Sequence, residues 1–263
     1  MIEPLYKAMI ELTNGKLTSQ FMKKFSQSKL SKNVIPSFSK LYRINLQEMK
    51  RELHEFETLH DFFTRTLKAD ARFIDQQKNS LISPVDAVFE DFGSITDTSE
   101  ITVKGKIYSI HEMLGNEEVL KKYIGGNYAV LYLSPSHYHR IHSPIEGQIK
   151  GRWTLGGKSY PVNKAGLKFG KAPLSKNYRV ITEIKHAEGH VAVVKVGAMF
   201  VNSIEITNPK DKIEKGEEIA YFSFGSTIVL LFEKETFIME KSLPLPADIK
   251  LGQVLGYVGK INS

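Results

Sequence analysis

Short apolar runs separated by turn residues dominate the chain from residue 81 onward. The clearest are AVLYL (129–133), HVAVVKV (190–196) and STIVLLFE (226–233), with Gly, Pro, Asn and charged residues between such runs. Runs of this length, rich in Val and Ile and bounded by turn formers, are typical of buried β-strands. The pattern predicts a β-rich body with few helices.

A weak internal echo favours the same architecture. IEKGEEIAYF (213–222) resembles IKLGQVLGYV (249–258), and each contains a turn glycine, Gly216 or Gly252, followed by a predicted strand. A β-hairpin unit used twice in a sandwich or barrel gives such a pattern, and coincidence is the alternative because this arrangement is common.

The first seventy residues have a helical pattern instead. Apolar residues in 3–30 recur at spacings of three or four, which predicts two short amphipathic helices broken near Asn14 and Gly15. A third helix is predicted in 52–70. Its apolar face would contain Phe56, Leu59, Phe63 and Leu67. We therefore predict an α+β protein, with a helical region at 1–70 and a β-rich domain at 71–263.

Positive charge is concentrated at the front of the chain. Residues 1–50 contain nine Lys or Arg and three Glu, so this segment carries nearly all of the net charge of +7. The rest of the chain is close to neutral, which argues against nucleic acid as a partner. A basic amphipathic start can lie on an anionic membrane surface, and an ordinary helix docked on the core is the alternative.

The composition limits the available chemistry. Cysteine is absent, which excludes disulfides, thiolate nucleophiles and zinc sites with Cys ligands. No apolar stretch is long enough for a membrane-spanning helix, and the first residues lack the layout of a secretory signal. We expect a protein that stays in the cytoplasm, with an oxygen or nitrogen as any nucleophile.

Two segments contain candidates for proton transfer. Asp86 follows a proline in SPVDA, where a turn aspartate that caps backbone amides is the structural alternative. His137, His139 and His142 lie in LYLSPSHYHRIHSPIEG (131–147) after a predicted strand. Histidine can transfer protons without a further ligand, whereas a metal site would need another ligand from elsewhere. We predict no metal, with a purely structural histidine loop as the alternative.

A hydroxyl pair begins one of the most apolar runs. In YFSFGSTIVLLFE (221–233), Ser226 and Thr227 precede five apolar residues, so Ser226 should open a buried strand. A Ser, a His and an Asp from separate segments can form a nucleophile, base and orienting group. SFGSTIV does not match the G-x-S-x-G motif of hydrolases, however.

The carbonyl nearest to the Ser226 hydroxyl is that of Gly225. If a tight turn holds the two together and a base removes the hydroxyl proton, the peptide can rearrange to an ester. Elimination and hydrolysis would then split the chain and leave a pyruvoyl group in place of Ser226. Glycine suits this position because it tolerates unusual backbone angles and leaves its carbonyl open to attack.

Several motifs together resemble the pyruvoyl-dependent phosphatidylserine decarboxylases of the bacterial, membrane-associated type. The motifs are IPSFSKLYRINLQEM, FFTRTLK, SPVDA, LSPSHYHRIHSP, SYPVN, VGAM and FGSTIVLLFE, and they cover most of the chain. The resemblance implies that 71–263 is the catalytic domain and that the chain cleaves itself between Gly225 and Ser226 into pieces 1–225 and 226–263.

The resemblance also implies a role for each candidate. Ser226 would be the cleavage nucleophile and the precursor of the pyruvoyl cofactor, His142 the base for cleavage and Asp86 its orienting carboxylate. His139 would help in decarboxylation and reprotonation. The reaction would convert phosphatidylserine to phosphatidylethanolamine and CO2 through a Schiff base with the pyruvoyl group.

The partners implied are the lipid substrate, an anionic membrane surface and the two cleaved chains, which stay associated; a homodimer is left open. The location implied is the cytoplasmic face of the cell membrane, with peripheral attachment.

Three positions depart from the usual family sequence. Phe224 replaces a Leu, Ala87 replaces a Gly after Asp86, and His137 stands where an acidic residue is common, so we assign His137 no catalytic role. If the family Gly has a positive φ, Ala87 would strain the turn by about 1 kcal/mol or more and slow maturation.

Three other functions remain as alternatives. A Ser-His-Asp esterase would keep its chain intact, and a membrane-docking β module would be unaffected by Ser226→Ala. An inactive homologue in which Ala87 blocks maturation would also remain one chain.

Overall fold

A computed structural model describes residues 23–162, 167, 169–198, 204–223 and 226–259. The α-helices are α1 Ile35–Leu41, α2 Leu59–Phe63, α3 Ile110–Leu114, α4 Glu117–Tyr123 and α5 Pro173–Lys176. Short 3-10 helices span Lys29–Val34, Leu46–Glu48 and Leu53–Glu55. The strands are β1 Ser80–Ile82, β2 Ala87–Ser94, β3 Glu100–Val103, β4 Lys106–Ser109, β5 Asn127–Leu133, β6 Arg140–His142, β7 Gly147–Leu155, β8 Arg179–His186, β9 Gly189–Gly197, β10 Ile204–Ile206, β11 Lys212–Ile213, β12 Glu218–Phe222, β13 Ser226–Phe232, β14 Phe237–Met239, β15 Ala247–Ile249 and β16 Val254–Val258.

The centre of the fold is an antiparallel eight-stranded sheet with the order β11-β7-β8-β9-β13-β5-β2-β15. The three apolar runs that predicted strands form β5, β9 and β13, which are neighbours in this sheet. Every residue of β13 is buried. A strand covered on both faces has no reason to alternate apolar and polar residues, which explains its continuous apolar run.

Two three-stranded sheets, β1-β16-β14 and β10-β12-β6, cover one face of the large sheet. Leu255 and Phe222 from these small sheets share one hydrophobic core with Ile228 and Leu230 of β13. On the other face, the β3–β4 hairpin and helices α3 to α5 form a second core with Val229 and Leu231. The predicted β-rich fold with sandwich-like hairpin units and N-terminal helices is confirmed.

One structural unit occurs twice. The turns SPVDA (83–87) and SPIEG (143–147) make equivalent hydrogen bonds, because the Ser83 amide donates to the Gln253 carbonyl at 2.7 Å and the Ser143 amide donates to that of Glu217 at 2.8 Å. Gly252 and Gly216 return equivalent bonds to the two serine carbonyls, at 3.1 and 2.8 Å. The equivalent strands are β1 with β6, β2 with β7, β15 with β11 and β16 with β12.

The two units are joined at their turns. The Ile82 amide donates to the Pro144 carbonyl at 3.0 Å, and the His142 amide donates to the Pro84 carbonyl at 2.9 Å. The echo noticed around Gly216 and Gly252 is the second half of this unit, and both glycines have the predicted turn position, with φ of +79° and +90°. The predicted turn followed by a strand is found in both segments, but neither is a β-hairpin, because β11 and β15 pair in the large sheet whereas β12 and β16 belong to the small sheets.

The prediction of one helix over 52–70 is wrong. The Thr58 hydroxyl accepts from the Asp61 amide at 3.0 Å and starts α2, and the Thr64 hydroxyl ends it by donating to the His60 carbonyl at 2.9 Å. Beyond the helix, Leu67 forms an antiparallel bridge with Met49. The capping threonines override the helical spacing of the apolar residues.

The N-terminal elements form a small core of their own. Its members are Ile35, Ile44, Met49, Phe56, Leu59 and Phe62. Most of the two helices predicted in 3–30, and their break at Asn14 and Gly15, lie outside the described residues. In the described part, 23–27 is helical. No helix of the described chain is long and apolar enough to cross a membrane.

Ala87 does not carry the strain expected of it. It opens β2, is fully buried, and pairs with Ile249 as Gly147 pairs with Ile213 in the other unit. Its φ is not positive. Ala87 therefore has ordinary extended backbone geometry, so the strain expected of an alanine at a positive φ is absent.

Candidate active site

The strand pairing places the histidine loop beside the start of β13. The loop 134–139 leads from β5 to β6, and the segment after β12 leads to β13. Ser226 lies opposite Leu133 in the sheet, and the Phe222 amide donates to the His139 carbonyl at 3.0 Å. Because β5 pairs with β13 and β6 pairs with β12, both connections run side by side. Phe224 and Gly225 lie outside the described residues.

Ser226 is fully buried at the first position of β13. Its Oγ has no hydrogen-bond partner within the described structure. The neighbouring Thr227 Oγ1 is likewise buried and without a partner there, but strand alternation places it on the opposite face of the sheet. A buried hydroxyl without a partner is costly and rare, so it is a strong candidate for a chemical role.

His139 offers a free basic nitrogen. Its Nδ1 lies 2.9 Å from the His137 carbonyl, which can only accept, so Nδ1 carries the proton and Nε2 is the basic atom. Nε2 is buried and has no partner in the described parts of the chain. The Phe63 ring packs at 4.0 Å from the imidazole. Burial, then the nearby Arg65 and His137, lower the pKa of His139 well below its usual value, so the ring is neutral at pH 7.

His142 has the same tautomer for a similar reason. Its Nδ1 donates to the Gly216 carbonyl at 2.7 Å, and its Nε2 lies 3.4 Å from the Tyr138 hydroxyl. Burial lowers the pKa of His142, although the bond to Gly216 opposes that shift. His142 and Tyr138 line a cavity of about 340 Å³, which Arg72 also borders.

Asp86 is held by an arginine. Arg72 donates to Asp86 Oδ1 from Nε at 2.8 Å and to Oδ2 from Nη2, and the Leu251 amide donates to Oδ1 at 2.9 Å. Arg72 also bonds Glu48 at 2.8 Å, and Glu48 pairs with Lys250. The capping role considered for Asp86 is therefore present in part, because one backbone amide is bound, but the main partner is a buried guanidinium.

The structure brings the four candidates into one region without joining them all. Asp86 lies near enough to His142 for its charge to favour the protonated imidazole. His139 and Ser226 lie at the adjoining ends of paired segments. Within the described residues, however, no hydrogen bond connects Asp86, His142 and Ser226 in a chain. Their roles stay predictions.

Sequence reasoning missed two buried arginines, Arg65 and Arg72, and the hydroxyl of Tyr138. Arg65 directly follows the apolar face of α2 in FFTRT, which was the available signal for its burial. Arg72 has no comparable local signal. His137 serves its own loop, since its Nδ1 accepts from the Ser134 amide at 3.0 Å. In the described chain, no group of three His, Asp or Glu side chains is arranged to bind a metal.

Comparison with known proteins gives a consistent family. The sequence model of the family phosphatidylserine decarboxylase matches residues 59–257. A phosphatidylserine decarboxylase proenzyme of Geobacillus sp. (strain WCH70) is 57% identical over 258 residues, covering 98% of this chain and 100% of the relative. The proenzyme of Anoxybacillus flavithermus is 56% identical over 260 residues, covering 99% of this chain and 98% of the relative.

A third relative, a phosphatidylserine decarboxylase proenzyme of Bacillus cereus, is 55% identical over 253 residues, covering 96% of this chain and 97% of the relative. The family match extends over the histidine loop and β13, and the identity to the relatives extends over the helical region as well. The chain therefore belongs to the phosphatidylserine decarboxylase family.

Proposed function

We propose that this chain, as an enzyme of the phosphatidylserine decarboxylase type, converts phosphatidylserine to phosphatidylethanolamine and CO2 with a pyruvoyl group derived from Ser226. The observation that carries the proposal is the pair of buried, unpartnered atoms Ser226 Oγ and His139 Nε2 at adjoining strand ends, as far as the described residues extend. A buried site with a free nucleophile and a free basic nitrogen is suited to a reactive group that forms from the chain and then reacts with substrate at the same place.

The pyruvoyl group would form by self-cleavage. Ser226 Oγ bonds to the Gly225 carbonyl carbon, the peptide C–N bond breaks, and the Ser226 nitrogen takes up the proton, which gives an ester. Loss of the proton from the Ser226 Cα breaks the Cβ–O bond and releases the carboxylate of Gly225. Water then displaces the nitrogen as ammonia and leaves a ketone at position 226.

His142 and Asp86 are proposed to serve this cleavage. The Gly216 carbonyl fixes the proton of His142 on Nδ1, so Nε2 is the nitrogen that can accept the Ser226 proton. Accepting that proton makes the imidazole positive. The charge of Asp86 favours the protonated form, so it would stabilise the imidazolium during cleavage.

His139 is proposed to act in the decarboxylation. A pyruvoyl group supplies a ketone that binds an amine covalently and withdraws the electrons left by the departing carboxylate. Neutral His139 is held by His137 and Phe63, and its free Nε2 would accept the proton that the substrate amine gives up on binding and return it to the carbon that has lost CO2. The buried surroundings exclude water, which favours loss of charge from the carboxylate.

The two pieces of the cleaved chain should remain together. β13, the first strand of the piece 226–263, is paired along its whole length with β5 on one side and β9 on the other. Both of these strands belong to the piece 1–225. Association of the pieces thus needs no contact beyond the central sheet. A homodimer stays a prediction.

The N-terminal region is proposed to lie on the cytoplasmic face of an anionic membrane. The segment 23–43 contains six Lys or Arg and no Asp or Glu. Leu30 and Leu41 in this segment are 74% and 73% exposed. Exposed leucines among basic residues fit a surface that inserts apolar side chains between anionic headgroups.

Mass spectrometry of the purified protein tests the proposal. We expect two fragments, 1–225 and 226–263, the smaller with a blocked N-terminus. Ser226→Ala should give one uncleaved chain, and the matched variant Thr227→Ala should still be cleaved, because its hydroxyl faces the other side of the sheet. An active preparation with an intact Ser226 would contradict the proposal, and an uncleaved esterase would support the alternative, which the family comparison does not favour.

A further inference from the structure

Arg65 carries a buried guanidinium that is only partly satisfied. The residue is 4% exposed, and its Nη2 donates to the Ser136 and His137 carbonyls at 3.0 Å each. Its Nε and Nη1 are buried and have no hydrogen-bond partner among the described residues. Two nitrogens of one cation thus keep N–H groups available in the interior of the described structure.

Arg65 differs from the other arginines of this region. Arg51 pairs with Asp61, Arg72 with Asp86, and Arg140 with Glu218. Among the ion pairs between described residues, none includes Arg65. Burial lowers the pKa of Arg65 to about 10, so the group is still charged at neutral pH. The charges of Asp86 and Glu48 favour the cation from a distance, but neither carboxylate forms an ion pair with it among the described residues. A buried cation whose N–H groups lack an acidic partner would therefore be stabilised by an anion from outside the chain.

Arg65 is also fixed next to His139. The His137 carbonyl that accepts from Arg65 Nη2 lies 2.9 Å from His139 Nδ1, so both side chains bind the same oxygen. The adjacent rings Phe62 and Phe63 contact Arg65 and His139 respectively. The free donors of Arg65 and the free Nε2 of His139 therefore belong to one site at the start of β13.

We propose that Arg65 binds the phosphodiester of the lipid headgroup, an inference that rests on the proposed function. The substrate has two anions, a carboxylate and a phosphodiester. An arginine on the carboxylate would stabilise the charge that must disappear as CO2 leaves, and so would oppose the reaction. An arginine on the phosphodiester binds substrate and transition state equally, and therefore improves binding without raising the barrier.

The test compares mature wild-type enzyme with Arg65→Gln and Arg65→Lys. A charge-assisted contact of this kind corresponds to about a 10- to 150-fold change in affinity. We expect Arg65→Gln to raise the KM for phosphatidylserine by roughly that factor with kcat within about threefold, and Arg65→Lys to recover part of the loss. Arg51→Gln is the matched control, since that arginine already has Asp61 and should leave KM unchanged.

Three soluble inhibitors distinguish the two anions. Glycerophosphoethanolamine carries the amine and the phosphodiester, serine the amine and a carboxylate, and ethanolamine the amine alone. We expect glycerophosphoethanolamine to inhibit the wild type more strongly than ethanolamine, and Arg65→Gln to weaken only that inhibition. If Arg65→Gln weakens inhibition by serine instead, Arg65 binds the carboxylate and the inference is wrong.

Three further outcomes would contradict the binding of the phosphodiester by Arg65. Equal inhibition of the wild type by glycerophosphoethanolamine and ethanolamine would mean that no phosphodiester site exists. A fall in kcat with unchanged KM, or failure of both Arg65 variants to cleave, would assign Arg65 to holding the histidine loop. Mass spectrometry of each sample separates these results from failure of the proposed function, which would show as an uncleaved wild type.

Discussion

The turns 83–87 and 143–147 have the same backbone hydrogen bonds but different side-chain surroundings. In the first, Asp86 is 6% exposed and bound by Arg72. In the second, the equivalent Glu146 is exposed. Each serine hydroxyl caps its own turn, Ser83 at 2.7 Å from the Val85 carbonyl and Ser143 at 2.6 Å from that of Ile145. The scaffold is therefore repeated, whereas the buried acid occurs once.

The candidate groups come from both copies. Asp86 lies in the first turn, and His142 directly precedes the second, where the first unit has Ile82. The bonds from Ile82 to Pro144 and from His142 to Pro84 tie the two turns together. A base and its acid thus meet across the junction of two similar units, which shows how a repeated scaffold can hold an asymmetric site.

The largest difference that we expect between the two turns is in the stability lost when the acidic residue, Asp86 or Glu146, is replaced by its amide. Asp86→Asn leaves the buried Arg72 with Glu48 as its remaining carboxylate, and should cost about 3 kcal/mol of unfolding free energy. Glu146→Gln should change it by less than about 0.5 kcal/mol. Urea denaturation in a Ser226→Ala background measures both without interference from cleavage.

The same pair of substitutions tests cleavage in the wild-type background. Asp86→Asn should slow the appearance of the two fragments on a gel, whereas Glu146→Gln should not. Equal stability losses, or equal cleavage rates, would show that the two acids are equivalent and that the comparison between the turns fails.

A smaller difference is expected in how strongly an alanine at each turn glycine, Gly252 or Gly216, destabilises the protein. A Cβ on Gly252 would lie 2.1 Å from the Phe73 carbonyl oxygen, whereas one on Gly216 would lie 2.8 Å from a methyl carbon of Ile74. Both positions have positive φ, which costs an alanine about 1–2 kcal/mol by itself. A backbone atom cannot move aside as a side chain can. Gly252→Ala should therefore be more destabilising than Gly216→Ala by at least about 1 kcal/mol.

A second substitution makes that prediction sharper. Ile74→Ala removes the side-chain atoms that face Gly216 and should reduce the cost of Gly216→Ala, but it leaves the Phe73 carbonyl beside Gly252 in place. Urea midpoints of the three single and two double variants supply the comparison. The same loss for both glycines, or equal relief by Ile74→Ala, would rule out the steric explanation.

The sequence predicted those parts of the fold in which local pattern and tertiary structure agree. β5, β9 and β13 were predictable because strands buried on both faces need long apolar runs. The interruption of the predicted helix in 52–70 was not predictable. The hydroxyls of Thr58 and Thr64 bind at the two ends of α2, whereas the helical spacing of apolar residues continues past both threonines.

The candidate site was predictable only in its reactive residues. Asp86, His139, His142 and Ser226 are found through their motifs, but their partners depend on contacts between distant segments. Arg72 resembles an ordinary surface cation in sequence, and only folding buries its side chain, whereas the position of Arg65 in FFTRT was a local signal for burial. The repeat of SPVDA as SPIEG is visible in the sequence, yet its meaning depends on the strand pairing.

The smallest difference that we expect between the two copies is in the pH dependence of their stability. His142 is titratable, whereas the equivalent residue in the first copy is Ile82. Burial lowers the pKa of His142 below the value of about 6.5 in an unfolded chain. A histidine with a lowered folded pKa binds protons more readily when unfolded, so its contribution to stability is complete above about pH 6.5 and is lost as the pH falls. His139, His137 and His60 have the same sign, and burial lowers the pKa of His186 to about 4.

Urea midpoints of Ser226→Ala should thus decrease between pH 7.5 and pH 5.5. Adding His142→Gln removes one titrating group while its amide can still donate to the Gly216 carbonyl. The slope of unfolding free energy below pH 6.5 should become shallower by up to about 1.4 kcal/mol per pH unit. Ile82→Val, the matched change in the other copy, should leave the slope alone. If His142→Gln also leaves the slope unchanged, His142 takes up its proton as easily in the folded chain as in the unfolded one, and its neutral state beside Tyr138 and Gly216 is refuted.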